Sequence, residues 1–392
     1  MQRIRRIRVN PVATERLSLE RTLHLVWQWL KFSGLHPNLL PISIKKRSTF
    51  DILRWLFTLI LLLLSLAVCV FESFQLIIKS WSVKNMVDVV PNVFFTFPVP
   101  CIICFEYHFW VHRQQIKQFY RDWNTMERQM NCFELAKMKQ DVNSLLVGIL
   151  MNFIVLTILV IIWNWMEPER SFFMTHYLFI RETIGVLPTS IVTSVIFGYN
   201  TVLFFSSSTI SVICFSVITC YVENLWGKWE SSSKNERFLR VIWQRYESIL
   251  DLVKRANELY GAIINGYIFT VIFYICIIIF YAIEEFQRNP AIFIPLLVTF
   301  AAFIHNIVSF NRSMSQLYFS KDKLQKTIAD HLSLKWYKLN ENDRQLLVTF
   351  LARFGKDDLC VRPMKLYCIK PSNLLSMSAL IINFYIVLAQ AN

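Results

Sequence analysis

Near the end of the chain, in the stretch SMSALIINFYIVLAQAN, Ser376, Asn383 and Gln390 are spaced by seven and seven residues. Two helical turns nearly close over seven residues, so the three share one face and drift by about 20° per step. The residues around them are apolar, as in a segment that crosses a bilayer. An unpaired polar group facing lipid is costly there, so the stripe must face protein or water. Two chemistries fit. The stripe can hydrogen-bond to a neighbouring helix, or it can line a path for ions, with apolar side chains beside it that close the path by dewetting.

Other reactive residues are less well placed for chemistry. Cys101 and Cys104 form a C-x-x-C inside an apolar run, where redox chemistry lacks the exposed helix start it needs. His108 and His112 sit at i, i+4 with Glu106 nearby, but no further His or Cys clusters in sequence to complete a metal site. The chain has no P-loop, no G-x-S-x-G and no H-E-x-x-H. No enzyme signature, metal or cofactor is read from the sequence.

The elements that must position these residues follow from composition. Of 392 residues 55% are hydrophobic and 17% charged, against about 25% charged in soluble domains. Mean hydropathy is +0.41. Disordered, collagenous and disulfide-scaffold classes are excluded. A bilayer core about 30 Å thick takes about 20 apolar residues as helix. Seven such runs occur, at 53–71, 89–111, 145–165, 187–221, 263–282, 291–310 and 374–389. The second contains Pro91, Pro98 and Pro100, and the fourth is too long for one crossing, which predicts a helix continuing beyond the bilayer. The fold class is therefore all-α, a polytopic membrane protein with seven transmembrane helices and cytosolic helical extensions. No cleavable signal peptide precedes the first span, which reads as a signal anchor.

Charge sets the orientation. The tail 1–52 carries 10 Lys and Arg, and the 112–144, 222–262 and 311–373 connections carry 6, 7 and 12, while the three alternate connections carry 2, 2 and 1. Cytosolic segments hold the positive excess, so the N-terminus is expected inside and the C-terminus outside. The net charge of +14 is thereby explained by membrane topology, without nucleic acid. No cysteine falls in an outer connection, so no extracellular disulfide is expected, and the sequon Asn311-Arg312-Ser313 lies on the inner side. Two regions result: a cytosolic tail, 1–52, and a seven-helix transmembrane domain, 53–392, with cytosolic helical connections at about 222–262 and 311–373. Within those, residues 236–260 and 342–354 read as amphipathic helices of a cytosolic bundle, the latter capped by Asn342 and stopped by Gly355.

The seven inverted spans, the large basic sixth-to-seventh connection and the final segment together resemble the insect gustatory receptor family, related to the insect odorant receptors. The family motif is Thr-Tyr, five hydrophobic residues, then Gln-Phe. Here it reads Asn383-Phe384, Tyr385-Ile386-Val387-Leu388-Ala389, Gln390-Ala391. The spacing and Gln390 match, Phe384 is aromatic for aromatic, and Asn383 and Ala391 depart. The resemblance implies a tetrameric ligand-gated cation channel, homomeric or heteromeric with other gustatory receptors, in the plasma membrane of a sensory neuron dendrite. Its pore would be lined by the seventh helix of each subunit, with Gln390 at the constriction, and Val387 could contribute where Ala391 replaces the bulky Phe. Partners would be permeating cations, membrane lipids and a small tastant.

The tastant would enter a pocket among the spans, open to the outside. Candidate contacts are Trp163 and Trp165 on span three, Thr189 and Thr193 on span four, Tyr281 and Glu284 on span five, and Thr299 on span six. Aromatic faces stack on sugars and flat alkaloids alike. The competing reading of the Trp and Tyr residues is the interfacial belt. The competing function is a secondary transporter, disfavoured by 8 Gly, an odd number of spans and no internal repeat. A G-protein-coupled receptor would require the opposite orientation.

Overall fold

The computed structural model describes residues 98–127, 186–231, 236–288, 290–356 and 359–390, together with Gly185 and scattered positions in 49–70 and 147–182. Seven helices are labelled in chain order: α1 (Pro98–Val111), α2 (Arg113–Glu127), α3 (Val186–Ser231), α4 (Glu236–Arg288), α5 (Pro290–Lys335), α6 (Glu341–Lys356) and α7 (Asn373–Gln390). Two 3₁₀ turns, Trp336–Lys338 and Pro363–Lys365, connect α5 to α6 and α6 to α7. No strand occurs among the described residues. Residues 52–60, at the start of the first predicted span, are helical, whereas most of the third span lies outside the described residues.

The long helices follow from uninterrupted sequence. The 46 residues of α3 and the 53 of α4 contain neither a central Pro nor a Gly-rich break. At 1.5 Å per residue they run about 70 and 80 Å, more than twice the hydrocarbon thickness. The fourth span does continue beyond one crossing. The amphipathic stretch 236–260 is helical too, but it is not a separate element, since it is the first half of α4. Within α3 and α4, Leu203–Gly227 and Leu239–Phe280 are long and apolar enough to cross a membrane.

Aromatic side chains tie α1, α3, α4 and α5 together. Phe204 stacks on Phe105 of α1 (ring centroids 6.1 Å apart) and on Tyr267 of α4 (5.6 Å). Tyr267 lies 4.4 Å from Phe310 of α5, and Phe303 of α5 meets both Phe205 and Tyr274. Such pairs contribute about 0.5–1.5 kcal/mol each beyond burial. The pairings also show that α3 and α5 run antiparallel to α4. Farther along, Trp229 packs edge-on against His331, Trp226 donates to Thr327 Oγ1 at 3.2 Å, and Trp243 and Tyr246 hold Phe350 of α6.

The boundaries of α6 differ from the sequence reading. The cap is Asn340 rather than Asn342: its Oδ1 accepts the Asp343 amide at 2.7 Å. Asn, two residues earlier, satisfies an orphan amide of the first turn. At the other end the helix passes through Gly355 to Lys356, because a glycine inside a helix costs only about 1 kcal/mol. The sequon residue Asn311 lies within α5 and is buried.

Candidate pore helix and ligand-site residues

The 18 residues of α7 extend about 27 Å, close to one hydrocarbon thickness. Its start is fixed by Asn373. The Asn373 amide donates to Lys370 O (3.0 Å), its Oδ1 accepts the Lys370 amide (3.3 Å), and its Nδ2 donates to Cys368 O (3.4 Å). One face lies on α4. Leu374, Met377, Ile381 and Phe384 join the core there, with Phe384 6.1 Å from the Phe273 ring and Cys276 Sγ 3.9 Å from Ile381 O. Phe384, the motif's aromatic residue and a further candidate for the pore, is half-buried against α4 rather than on the stripe.

Ser376, Asn383, Val387 and Gln390 lie on the other side of α7 and are exposed on the single chain. The seven-residue spacing therefore does place the three polar groups on one face, away from the body of the protein. Leu375, Leu380 and Ile386 flank them, also exposed. A polar stripe bordered by apolar side chains cannot rest against lipid at low cost. Ala391 lies outside the described residues.

The segment leading into α7 is clamped to α4 by features not visible from periodicity. Asn257 of α4 donates from Nδ2 to Cys360 O at 2.9 Å, and its Oδ1 accepts the Arg362 amide at 2.7 Å. The Ile369 amide donates to Val361 O at 2.9 Å, closing a tight turn. Within it, Met364 and Lys365 have positive φ, 51° and 62°, and lie over Gly261, where a Cβ would come within 2.9 Å of Met364 N. A glycine at 261 within a helical pattern was the available sequence signal of a close backbone approach. A hydrogen bond to Cys360 pushes the Cys368 thiol well above its ordinary ionisation range, with burial adding to it.

The proposed pocket residues are distributed differently. Trp163 and Trp165 lie outside the described residues. Thr189, in the first turn of α3, is buried, and its hydroxyl donates to Gly185 O at 2.7 Å, a bond local to the helix start. Thr193 lies one turn farther along α3, Tyr281 and Glu284 lie in the last turns of α4, and Thr299 is partly exposed in α5. Given the antiparallel pairing of α3 and α5 with α4, these positions occupy the same end of the bundle. Of the histidines, His108 Nε2 donates to Leu259 O at 2.7 Å, and the His112 ring meets Gln115 Oε1 at 2.8 Å.

Comparison with known proteins adds the family. The fold is similar to that of the insect olfactory receptor OR5 from Machilis hrabei, with a TM-score of 0.67 and 13% identity over 95% of this chain and 99% of that one. It is also similar to the structure of the same receptor in complex with eugenol, with a TM-score of 0.66, 14% identity and the same coverage. No curated protein matches the chain by sequence. The family model described as "7tm Chemosensory receptor" matches residues 23–390, nearly the whole chain. The described residues are all helical or in turns and loops, and the expected kinship with seven-span chemosensory receptors is shown by the family match. The chain belongs to the 7tm chemosensory receptor family.

Proposed function

We propose that the protein is a taste receptor that acts as a ligand-gated, non-selective cation channel. Four copies, identical or mixed with related gustatory receptors, assemble so that their α7 helices surround one pore. The observation that carries this reading is the exposed stripe Ser376–Asn383–Gln390 on an otherwise apolar helix. Around a common axis these become three polar rings, and Val387 on the same face supplies an apolar ring that can dewet. The charge distribution supports a cytosolic N-terminus and a C-terminus outside, in the plasma membrane of a sensory neuron.

A small organic tastant binds at the outer end of the bundle, near Thr189, Thr193, Tyr281, Glu284 and Thr299, and Trp163 and Trp165 are further contacts expected from the sequence. The eugenol complex of OR5 supports a ligand of that size. Ligand shifts the equilibrium only by its differential affinity for the open and closed packings. The aromatic contacts between α3, α4 and α5, and the Phe273–Phe384 contact from α4 to α7, join that end to the pore helix.

Cysteine at position 390 tests the pore directly. In a cell without native receptors, an agonist is first found from sugars, bitter alkaloids and amino acids. Gln390→Cys is then exposed to an external cationic thiol reagent. The agonist current falls sharply on labelling; an unchanged current despite confirmed labelling contradicts the reading.

A further inference from the structure

Beneath the apolar α1, helix α2 carries a basic ladder that neither the pore nor the pocket uses. The helical register passes from one to the other without a shift: the His112 amide donates to His108 O and the Ile116 amide to His112 O, both at 3.0 Å. At 100° per residue, Trp110, Arg113, Lys117 and Arg121 fall within an arc of about 80°. The adjoining face, Ile116, Phe119, Tyr120 and Trp123, is buried in the core. Arg113 and Arg121 are exposed and Lys117 is half-exposed. Among the described residues none of the three takes part in an ion pair. The nearby Asp122 does not neutralise them, since it pairs with Arg255 of α4 and accepts from Gln118.

The ladder starts where an aromatic boundary ends. Tyr107 and Trp110 are 65% and 48% exposed, and the Arg113 guanidinium lies 5.2 Å from the Trp110 ring centre. Exposed Tyr and Trp at the end of an apolar helix mark the membrane–water interface. From Arg113 to Arg121 the helix descends about 12 Å. The headgroup layer is roughly 5–8 Å deep on each side. Arg113 and Lys117 thus lie at phosphate level, and Arg121 reaches past it. A singly charged headgroup spans only the upper steps. A headgroup with further phosphates projecting toward the cytosol meets all three.

We propose that Arg113, Lys117 and Arg121, roofed by Trp110, form a binding site for a multiply phosphorylated phospholipid of the inner leaflet. The site rests on the inward placement of α2 and is independent of how the channel is gated.

Titration of the detergent-solubilised full chain with phosphatidylinositol bisphosphate, followed by native mass spectrometry, tests the proposal. The lipid binds more tightly than phosphatidylserine. Arg113→Gln, Lys117→Gln and Arg121→Gln each weaken it about 5-fold, and the triple variant about 100-fold. Lys335→Gln with Lys338→Gln, at the far end of α5, leaves it unchanged. The exchange Arg113→Lys, Lys117→Arg, Arg121→Lys retains binding and so separates charge loss from misfolding. Wild-type affinity in the triple Gln variant would overturn the site. Equal affinity for phosphatidylserine would overturn the polyphosphate preference, and equal affinity for free inositol trisphosphate would overturn the lipid assignment. The assay needs no current, so it stands or falls separately from the channel reading.

Discussion

Asn257 shows how one amide can substitute for a strand. Its two hydrogen bonds satisfy a carbonyl and an amide of the segment that delivers α7. Asn257→Ala removes both partners from a half-buried site and is predicted to cost about 1–3 kcal/mol, read as a lower melting temperature of the purified protein. Cys368 offers a second residue-level prediction. Because its hydrogen bond with Cys360 and its partial burial push its ionisation up, it stays protonated at about pH 8.5, where an ordinary cysteine is half-ionised. Thiolate is the reactive form, so alkylation of Cys368 at that pH is slower than that of a fully exposed cysteine. Mass-spectrometric labelling rates check this, and Cys360→Ala, which removes that hydrogen-bond partner, speeds it. None of this could be read in advance: Asn257 and Cys360 lie 103 residues apart, and no periodicity links them. The stripe on α7 could be read, because its three members share one helix and a helix fixes its own faces.

At the level of elements, composition and period found the long helices but did not join them, and they left the helix α2 as an unassigned basic connection. Residues 236–260 and the fifth span were distinguishable by polarity, yet they form one helix because no Pro or Gly cluster interrupts them. The cap of α6 was displaced by two residues for the same local reason: both Asn340 and Asn342 have a side chain able to cap, and only geometry selects between them. The contact between α4 and the turn before α7 is tight enough to test. Gly261→Ala places a methyl 2.9 Å from one backbone nitrogen and 3.3 Å from the Arg362 carbonyl. Overpacking against backbone is predicted to cost about 1–3 kcal/mol in thermal stability. Because the displaced turn leads directly into α7, the agonist dose–response curve of the same variant is predicted to shift. A change in melting without any change in gating would dissociate the turn from the pore.

For the whole molecule, Ser376, Asn383 and Gln390 are exposed on the single chain, and the proposed tetramer would cover that polar face within the bilayer. The proposed orientation, drawn from the basic tail and connections, predicts that epitope tags on intact cells are stained at the C-terminus and silent at the N-terminus. The most direct measurement is a density map of the assembled protein in lipid. It is predicted to show α7 of each copy around a shared axis, with Ser376, Asn383 and Gln390 turned toward it. A map in which those three residues face lipid, or in which α7 is enclosed by a single subunit, would contradict the account.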